Sequence, residues 1–388
     1  MIRSKLPAVG TTVFSVMTGL AQEHGAINLA QGFPDYACDP VLVDFVGQAL
    51  RDGYNQYAPM QGVLAFREAI ARKYAVMHDV TVDPATELTI TPGATAALFT
   101  AVTTVVRPGD DVVIFEPAYD SYGPAVVANG GRVLPILLKA PHYRPDMDEL
   151  RAMITPATSM IIINSPHNPT GTTWSDGDLC ALADVVDGTD IVILSDEVYD
   201  HIVFDGQRHH SAASIDGLRE RSFVVTSFGK TFHTTGWKIG CCLAPPALTN
   251  EFRKVHQFLS FSVHTPTQVA LARYMQDETT YTQVGTFFQH KRDLFRSLLE
   301  GSAWSILPCT GSYFQLLGYD GFSREGDMDL AVRLTKDIGV ASIPLSPFIS
   351  VNDGQPSAAL RFCIAKEDAT LERAAERLRQ VAGIASET

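Results

Sequence analysis

The 388-residue chain has no surplus of basic charge: 30 Lys and Arg stand against 43 Asp and Glu, a net charge of -13. Surfaces that bind DNA or anionic membrane without specificity need the opposite balance, so neither partner is expected. Long apolar runs are missing as well. Stretches such as Met160 to Ile163 fall far short of the ~20 residues that a membrane-spanning helix requires. The opening segment is mildly basic, but Thr11, Thr12 and Ser15 interrupt its apolar residues, and no secretory signal is read there. The six cysteines, at 38, 180, 241, 242, 309 and 363, contain no C-x-x-C pair. Cys241 and Cys242, adjacent on a predicted strand, would face opposite sides, so neither a zinc site nor a disulfide framework is expected.

Nucleotide signatures are also lacking. Gly229-Lys230-Thr231 looks like the end of a P-loop, but the glycine needed five residues earlier is Val224, inside a predicted strand. No G-x-G-x-x-G follows any predicted strand, which argues against a dinucleotide site. Repeats, charge blocks and low-complexity tracts are absent too, so no flexible linker marks a domain boundary.

What is present is an ordinary globular composition, 46% hydrophobic and 19% charged, on a chain long enough for two or three units. From residue 88, short β-branched runs alternate with helical patterns: LTIT at 88, VVIF at 112, MIII at 160, IVIL at 191, FVVT at 223 and KIGCCLA at 238. That alternation predicts crossover units feeding a largely parallel buried sheet, an α/β fold. SYFQLL at 312, ASIPL at 341 and LRFCIA at 360, with helical patterns near 285–300, 327–338 and 368–382, predict a smaller α+β lobe. The large domain is placed at 45–285 and the small one at 1–44 and 286–388.

Ligands of open α/β sheets bind beyond the carboxyl ends of the strands, so the residues after each run matter most. After LTIT, Pro92-Gly93-Ala94-Thr95 opens an apolar helix, either as an anion cradle of free N–H groups or as a plain capped turn. After VVIF, Tyr119 and Tyr122 could stack on a flat ring or simply pack. After MIII, Asn164-Ser165-Pro166-His167-Asn168-Pro169-Thr170-Gly171 is dense turn chemistry. After IVIL, Asp196 and Tyr199 place a carboxylate and a phenol three apart, and a buried carboxylate needs a partner. After FVVT comes Ser227-Phe228-Gly229-Lys230-Thr231, followed by Gly236-Trp237-Lys238, two lysines suited to a nucleophile and an anion clamp or to the surface.

This ordered set, running from Asn28-Leu29-Ala30-Gln31-Gly32-Phe33-Pro34-Asp35 to Leu360-Arg361-Phe362-Cys363, resembles the class I aminotransferases, which are pyridoxal 5′-phosphate (PLP) transferases of fold type I. Asn55-Gln56-Tyr57 and Phe261-Ser262-Val263-His264-Thr265-Pro266 resemble the bacterial methionine aminotransferases in particular. The kynurenine and glutamine–phenylpyruvate aminotransferases are also similar. The resemblance implies a mostly parallel seven-stranded sheet in the large domain and a homodimer with shared active sites.

It also implies roles. Lys230 would carry PLP as a Schiff base and, once displaced, move the proton from the substrate Cα. Asp196 would keep the pyridine nitrogen protonated, and Asn168 and Tyr199 would bind the 3′-oxygen. The phosphate would rest on Gly93, Ala94 and Thr95, with Ser227, Lys238 and, from the neighbouring subunit, Tyr57. Tyr119 would stack on the ring. Lys238 stands where many relatives carry arginine, which supplies charge without a bidentate fork. Arg361, with the backbone near Gly32, would hold the substrate carboxylate, and Phe14 and Phe348 would close over the side chain.

The expected activity is transfer of the amino group of methionine, aromatic or glutamine-like amino acids to a 2-oxo acid by a ping-pong mechanism, in the cytoplasm, without a metal. In segment 261–264, which the resemblance places in the neighbouring subunit's site, only His264 could become charged, so a second buried cation for aspartate is not evident. Two alternatives remain. A β-eliminating carbon–sulfur lyase would share the cofactor constellation and release pyruvate and a thiol without any 2-oxo acid. A noncatalytic regulator on the same fold would carry a basic DNA-binding extension, for which the chain has neither the segment nor the charge.

Overall fold

The computed structural model describes residues 2–350 and 358–383. Its strands are, in chain order, β1 (Ile27–Asn28), β2 (Leu88–Thr91), β3 (Asp111–Glu116), β4 (Arg132–Leu137), β5 (Thr158–Asn164), β6 (Val192–Asp196), β7 (Ser222–Ser227), β8 (Gly240–Leu243), β9 (Ser305–Ile306), β10 (Phe314–Gly318), β11 (Val340–Ala341), β12 (Ile343–Pro344) and β13 (Ala359–Cys363). A seven-stranded sheet runs β2-β8-β7-β6-β5-β3-β4. β8 is antiparallel to both its neighbours and the remaining pairs are parallel. The strands β2, β3, β5, β6 and β7 therefore all end on one edge of the sheet.

Both faces of this sheet are covered, which is why its strands read as continuous apolar runs. Side chains alternate between two cores with the strand period of two. Val113, Phe115, Ile161, Ile163, Ile193 and Cys241 pack into one core. Val112, Ile114, Met160, Ile162, Leu194 and Cys242 pack into the other, with Ala97, Leu98 and Ala101 of the helix Ala94–Val105 and Phe252 of the helix Pro246–Leu259. The two adjacent cysteines do face opposite sides.

β4 has no counterpart among the predicted strands. It pairs only with β3, at the sheet edge, carries Pro135 and is half-buried, so its composition lacks the signature of the interior strands. β12, β13, β10 and β9 form a second, antiparallel sheet. β1 pairs in parallel with β11, and Cys363 N–H donates to the Leu29 carbonyl, which ties the N-terminal segment to the C-terminal strands. The helical pattern at 327–338 is an α-helix, Asp327–Arg333, continued by one π turn, Leu334–Ile338.

Candidate active site

A cavity of about 250 Å³ opens where β2, β3, β5, β6 and β7 end, and β13 contributes Arg361 to its wall. Phe14, Gly32, Gly93, Ala94, Thr95, Tyr119, Asn168, Asp196, Tyr199, Ser227, Lys230, Lys238 and Arg361 all line it. Two expected residues do not. Phe348 is buried beside it, its ring 5.7 Å from that of Phe14 and 5.7 Å from the Arg361 guanidinium carbon. Tyr57 is 83% exposed and lies edge-on to Phe261 in a separate open groove with Ser262 and His264.

The end of the cavity at β2 is an anion cradle. Gly93 caps the helix Ala94–Val105 at φ 83° and ψ 165°, and no side chain occupies the cap. The first-turn N–H groups are therefore open to the cavity, reinforced by the helix dipole. A Cβ on Gly93 would stand 3.1 Å from Lys238 Nζ, so the ammonium closely approaches the cradle. On Gly240 a Cβ would come within 2.7 Å of the Ala94 nitrogen, so the bare backbone there lets β8 press against the cradle.

Across the cavity floor, Asp196 ends β6, buried to 3% exposure. Tyr122 Oη donates to its Oδ2 at 2.6 Å and Val198 N–H reaches Oδ1 at 3.3 Å. Burial pushes its pKa up to about 6 against these two bonds. Asn164 ends β5, donates to the Asp196 carbonyl at 2.8 Å and accepts from Asn168 N–H at 2.8 Å, locking the two loops together.

Lys230 projects from the short helix Phe228–Thr231 after β7. Its Nζ donates to the Gly32 carbonyl at 3.0 Å and to Tyr313 Oη at 2.8 Å. Burial first, then the nearby Arg361 and Lys238 charges, bring its pKa down to about 8, opposed by Cys363 and Asp196. Arg361 is buried to 1% exposure and donates to Asn168 Oδ1 at 2.7 Å and to the Ala30 carbonyl at 2.7 Å. Its Nε has no partner among the described residues, and the guanidinium carbon lies 4.0 Å from the Phe314 ring centre. With Asn168 Oδ1 engaged by Arg361, the amide's two N–H donors are left for the cavity.

Sequence reasoning gave no role to Asn164, Tyr313 or Phe314, and took Tyr122 for a ring that could stack or pack rather than for the partner of Asp196. Tyr122 follows Tyr119 by three residues, the spacing of neighbours on a helix, and Asn164 is the polar end of an apolar strand; both were open to inference. Tyr313 and Phe314 reach the site from a distant strand, and nothing local in Gly-Ser-Tyr-Phe announces it.

Arranged this way, the cavity offers an anion cradle, a buried carboxylate, a buried amine and a buried guanidinium around one ring-sized space. A family model described as aminotransferase class I and II matches residues 24–378. The methionine aminotransferase of Escherichia coli is 46% identical over 380 residues, covering 98% of each chain, and its crystal structure superposes with a TM-score of 0.96 over 98% of this chain and 99% of that one. The probable N-succinyldiaminopimelate aminotransferase of Mycobacterium tuberculosis is 36% identical over 98% of this chain and 99% of its own. The structure of the M. tuberculosis N-succinyldiaminopimelate aminotransferase matches with a TM-score of 0.94, over 98% of this chain and 100% of that one. Human kynurenine–oxoglutarate transaminase 1 is 33% identical over 93% of each chain. The protein is a member of the class I and II aminotransferase family.

Proposed function

We propose that this aminotransferase uses PLP to move the amino group of methionine, aromatic or glutamine-like donors to a 2-oxo acid, both substrates taking the same cavity in turn. The observation that carries the proposal is the pairing, around one space, of a buried amine near pKa 8 with a buried carboxylate near pKa 6. Perturbed groups of opposite kind facing one cavity mark a reacting centre.

The residues fit the cofactor. The uncapped helix start at Gly93, with Ala94, Thr95, Ser227 and Lys238, suits a phosphate dianion. Asp196 is a buried carboxylate with no cation bonded to it among the described residues, which suits a protonated ring nitrogen. The Asn168 amide and Tyr199 hydroxyl suit an anionic ring oxygen, and Tyr119 suits the ring face. When bound, PLP supplies the electron sink for the Cα–H electrons and carries the amino group between donor and acceptor. Lys230 takes and returns the proton at the substrate Cα, for which a depressed pKa leaves a usable fraction of free base near neutrality. Arg361 orients the substrate α-carboxylate, its own direction fixed by Asn168 and Ala30. Phe14 lines the cavity and holds the side chain, and Phe348, tilted against it from behind, helps to exclude water.

Donor choice follows from charge. The cations lining the cavity, among the described residues, are Lys230, Lys238 and Arg361, and each already has a task. A second substrate carboxylate would lie unpaired against Phe14, Phe314 and Tyr119, at a cost of several kcal/mol, or ~10²-fold in discrimination. The names of the E. coli and human relatives agree with that choice. A homodimer is supported by the exposed Tyr57, Phe258 and Phe261, which leave an apolar face for a second copy and a tyrosine to reach its site. The pairing of β1 with β11 supports assigning 1–44 and 286–388 to one lobe and 45–285 to the other. The six free thiols fit a cytoplasmic setting. Steady-state comparison of methionine, phenylalanine and aspartate with one common 2-oxo acid tests the substrate reading; an aspartate kcat/KM equal to the other two would overturn it.

A further inference from the structure

We propose that Tyr313 is a positioning residue for Lys230: with the Gly32 carbonyl it occupies both N–H bonds of the neutral amine and turns its lone pair into the cavity. This rests on Lys230 being the residue that moves the Cα proton, and adds the device that aims it.

Tyr313 Oη lies 2.6 Å from the Gly32 carbonyl oxygen. A carbonyl can only accept, so the phenol proton is committed to that bond rather than to the Tyr199 hydroxyl, with which Tyr313 is also in hydrogen-bond contact. Tyr313 Oη therefore receives the 2.8 Å bond from Lys230 Nζ as an acceptor, and Gly32 accepts the second N–H at 3.0 Å on its other lone pair. A neutral amine has two N–H bonds and one lone pair. Both N–H bonds are used in this triangle, each bent inward because the two acceptors lie only 2.6 Å apart, and Cε takes a third direction at the nitrogen. The fourth direction, the lone pair, is left without a protein partner among the described residues, and Lys230 lines the cavity.

Tyr313 does not itself line the cavity. It sits behind the amine, fully buried, its ring edge-on to Tyr199 at 4.9 Å and to Phe314 at 4.9 Å, and tilted against Phe288 at 5.5 Å. That packing fixes the hydroxyl independently of the ligand. A phenylalanine at 313 would keep these ring contacts and lose the hydroxyl, both as acceptor for Lys230 and as donor to Gly32, so the amine would be held by Gly32 alone and free to swing about one bond. An ammonium also gains more than a neutral amine from an acceptor, so losing Tyr313 Oη should move the Lys230 pKa further down.

Tyr313→Phe tests this with two readouts. In the cofactor-loaded enzyme, kcat with methionine should fall ~10-fold, with KM within a factor of about three and an enlarged kinetic isotope effect with α-deuterated methionine, because aiming the base affects proton transfer. In the cofactor-free protein, competitive acylation of Lys230 across pH should report a lower amine pKa than in the parent. An unchanged kcat and isotope effect, or an unchanged Lys230 titration, would overturn the proposal. Borohydride reduction of both loaded proteins, mapped by peptide, separates the two levels: label away from Lys230 sinks the site reading itself, whereas label at Lys230 leaves the outcome to Tyr313.

Discussion

Replacing Asp196 by Asn should stabilise the cofactor-free protein at neutral pH while nearly eliminating transamination. Burial raises the Asp196 pKa from 3.8 to about 6 in the fold. The folded state thus binds a proton more tightly than the unfolded chain, so stability is lost as pH rises from about 4 through 6. Integrated over that window, the ionised carboxylate costs the empty fold about 3 kcal/mol at pH 7.5. Asparagine has the same shape, can still accept from Tyr122 through its amide oxygen, and carries no charge to desolvate. Urea unfolding of the cofactor-free parent and variant at pH 7.5 and pH 4 measures the difference. The variant should be more stable by up to about 3 kcal/mol at pH 7.5, and the gap should close toward pH 4, where both side chains are neutral. Equal stability at pH 7.5, or a gap independent of pH, would refute the reasoning. The loaded variant should lose several orders of magnitude in turnover, since a neutral amide cannot hold the ring nitrogen protonated.

Two further outcomes follow from the same geometry. Gly93→Ala should weaken PLP binding by at least ~10-fold in equilibrium titration, because its φ of 83° disfavours a side chain and the new Cβ would stand 3.0 Å from Lys238 Cε. Lys73→Met should destabilise the fold by about 3–5 kcal/mol in urea, because it leaves Asp200, directly after Tyr199 and bonded to Lys73 inside the core, as a buried charge whose other close neighbour, His201 at 3.5 Å, is kept neutral by burial; Lys73→Met with Asp200→Leu should recover part of that loss.

The interior strands were legible because burial on both faces leaves no polar residue to interrupt Val112–Phe115 or Met160–Ile163. β4 was not, because an edge strand with Pro135 escapes both requirements. The residues closing each strand pointed to the cavity because chemistry in an open sheet collects at the carboxyl ends. Lys230, Asp196 and the Gly93 cradle lie there. Tyr313 acts on Lys230 across 83 residues of chain, a contact set by packing of the second lobe rather than by any local pattern. Tyr57 is a different case: within one chain it lies edge-on to Phe261 and is largely exposed, so its assigned role depends on a second copy.

Lys230 as the covalent anchor of PLP is open to a direct test. Native protein loaded with PLP, reduced with borohydride, digested and mapped by mass spectrometry should carry the reduced pyridoxyl group on the peptide containing Lys230, and Lys230→Ala should carry none. Label on Lys238, or stoichiometric label in Lys230→Ala, would contradict the account.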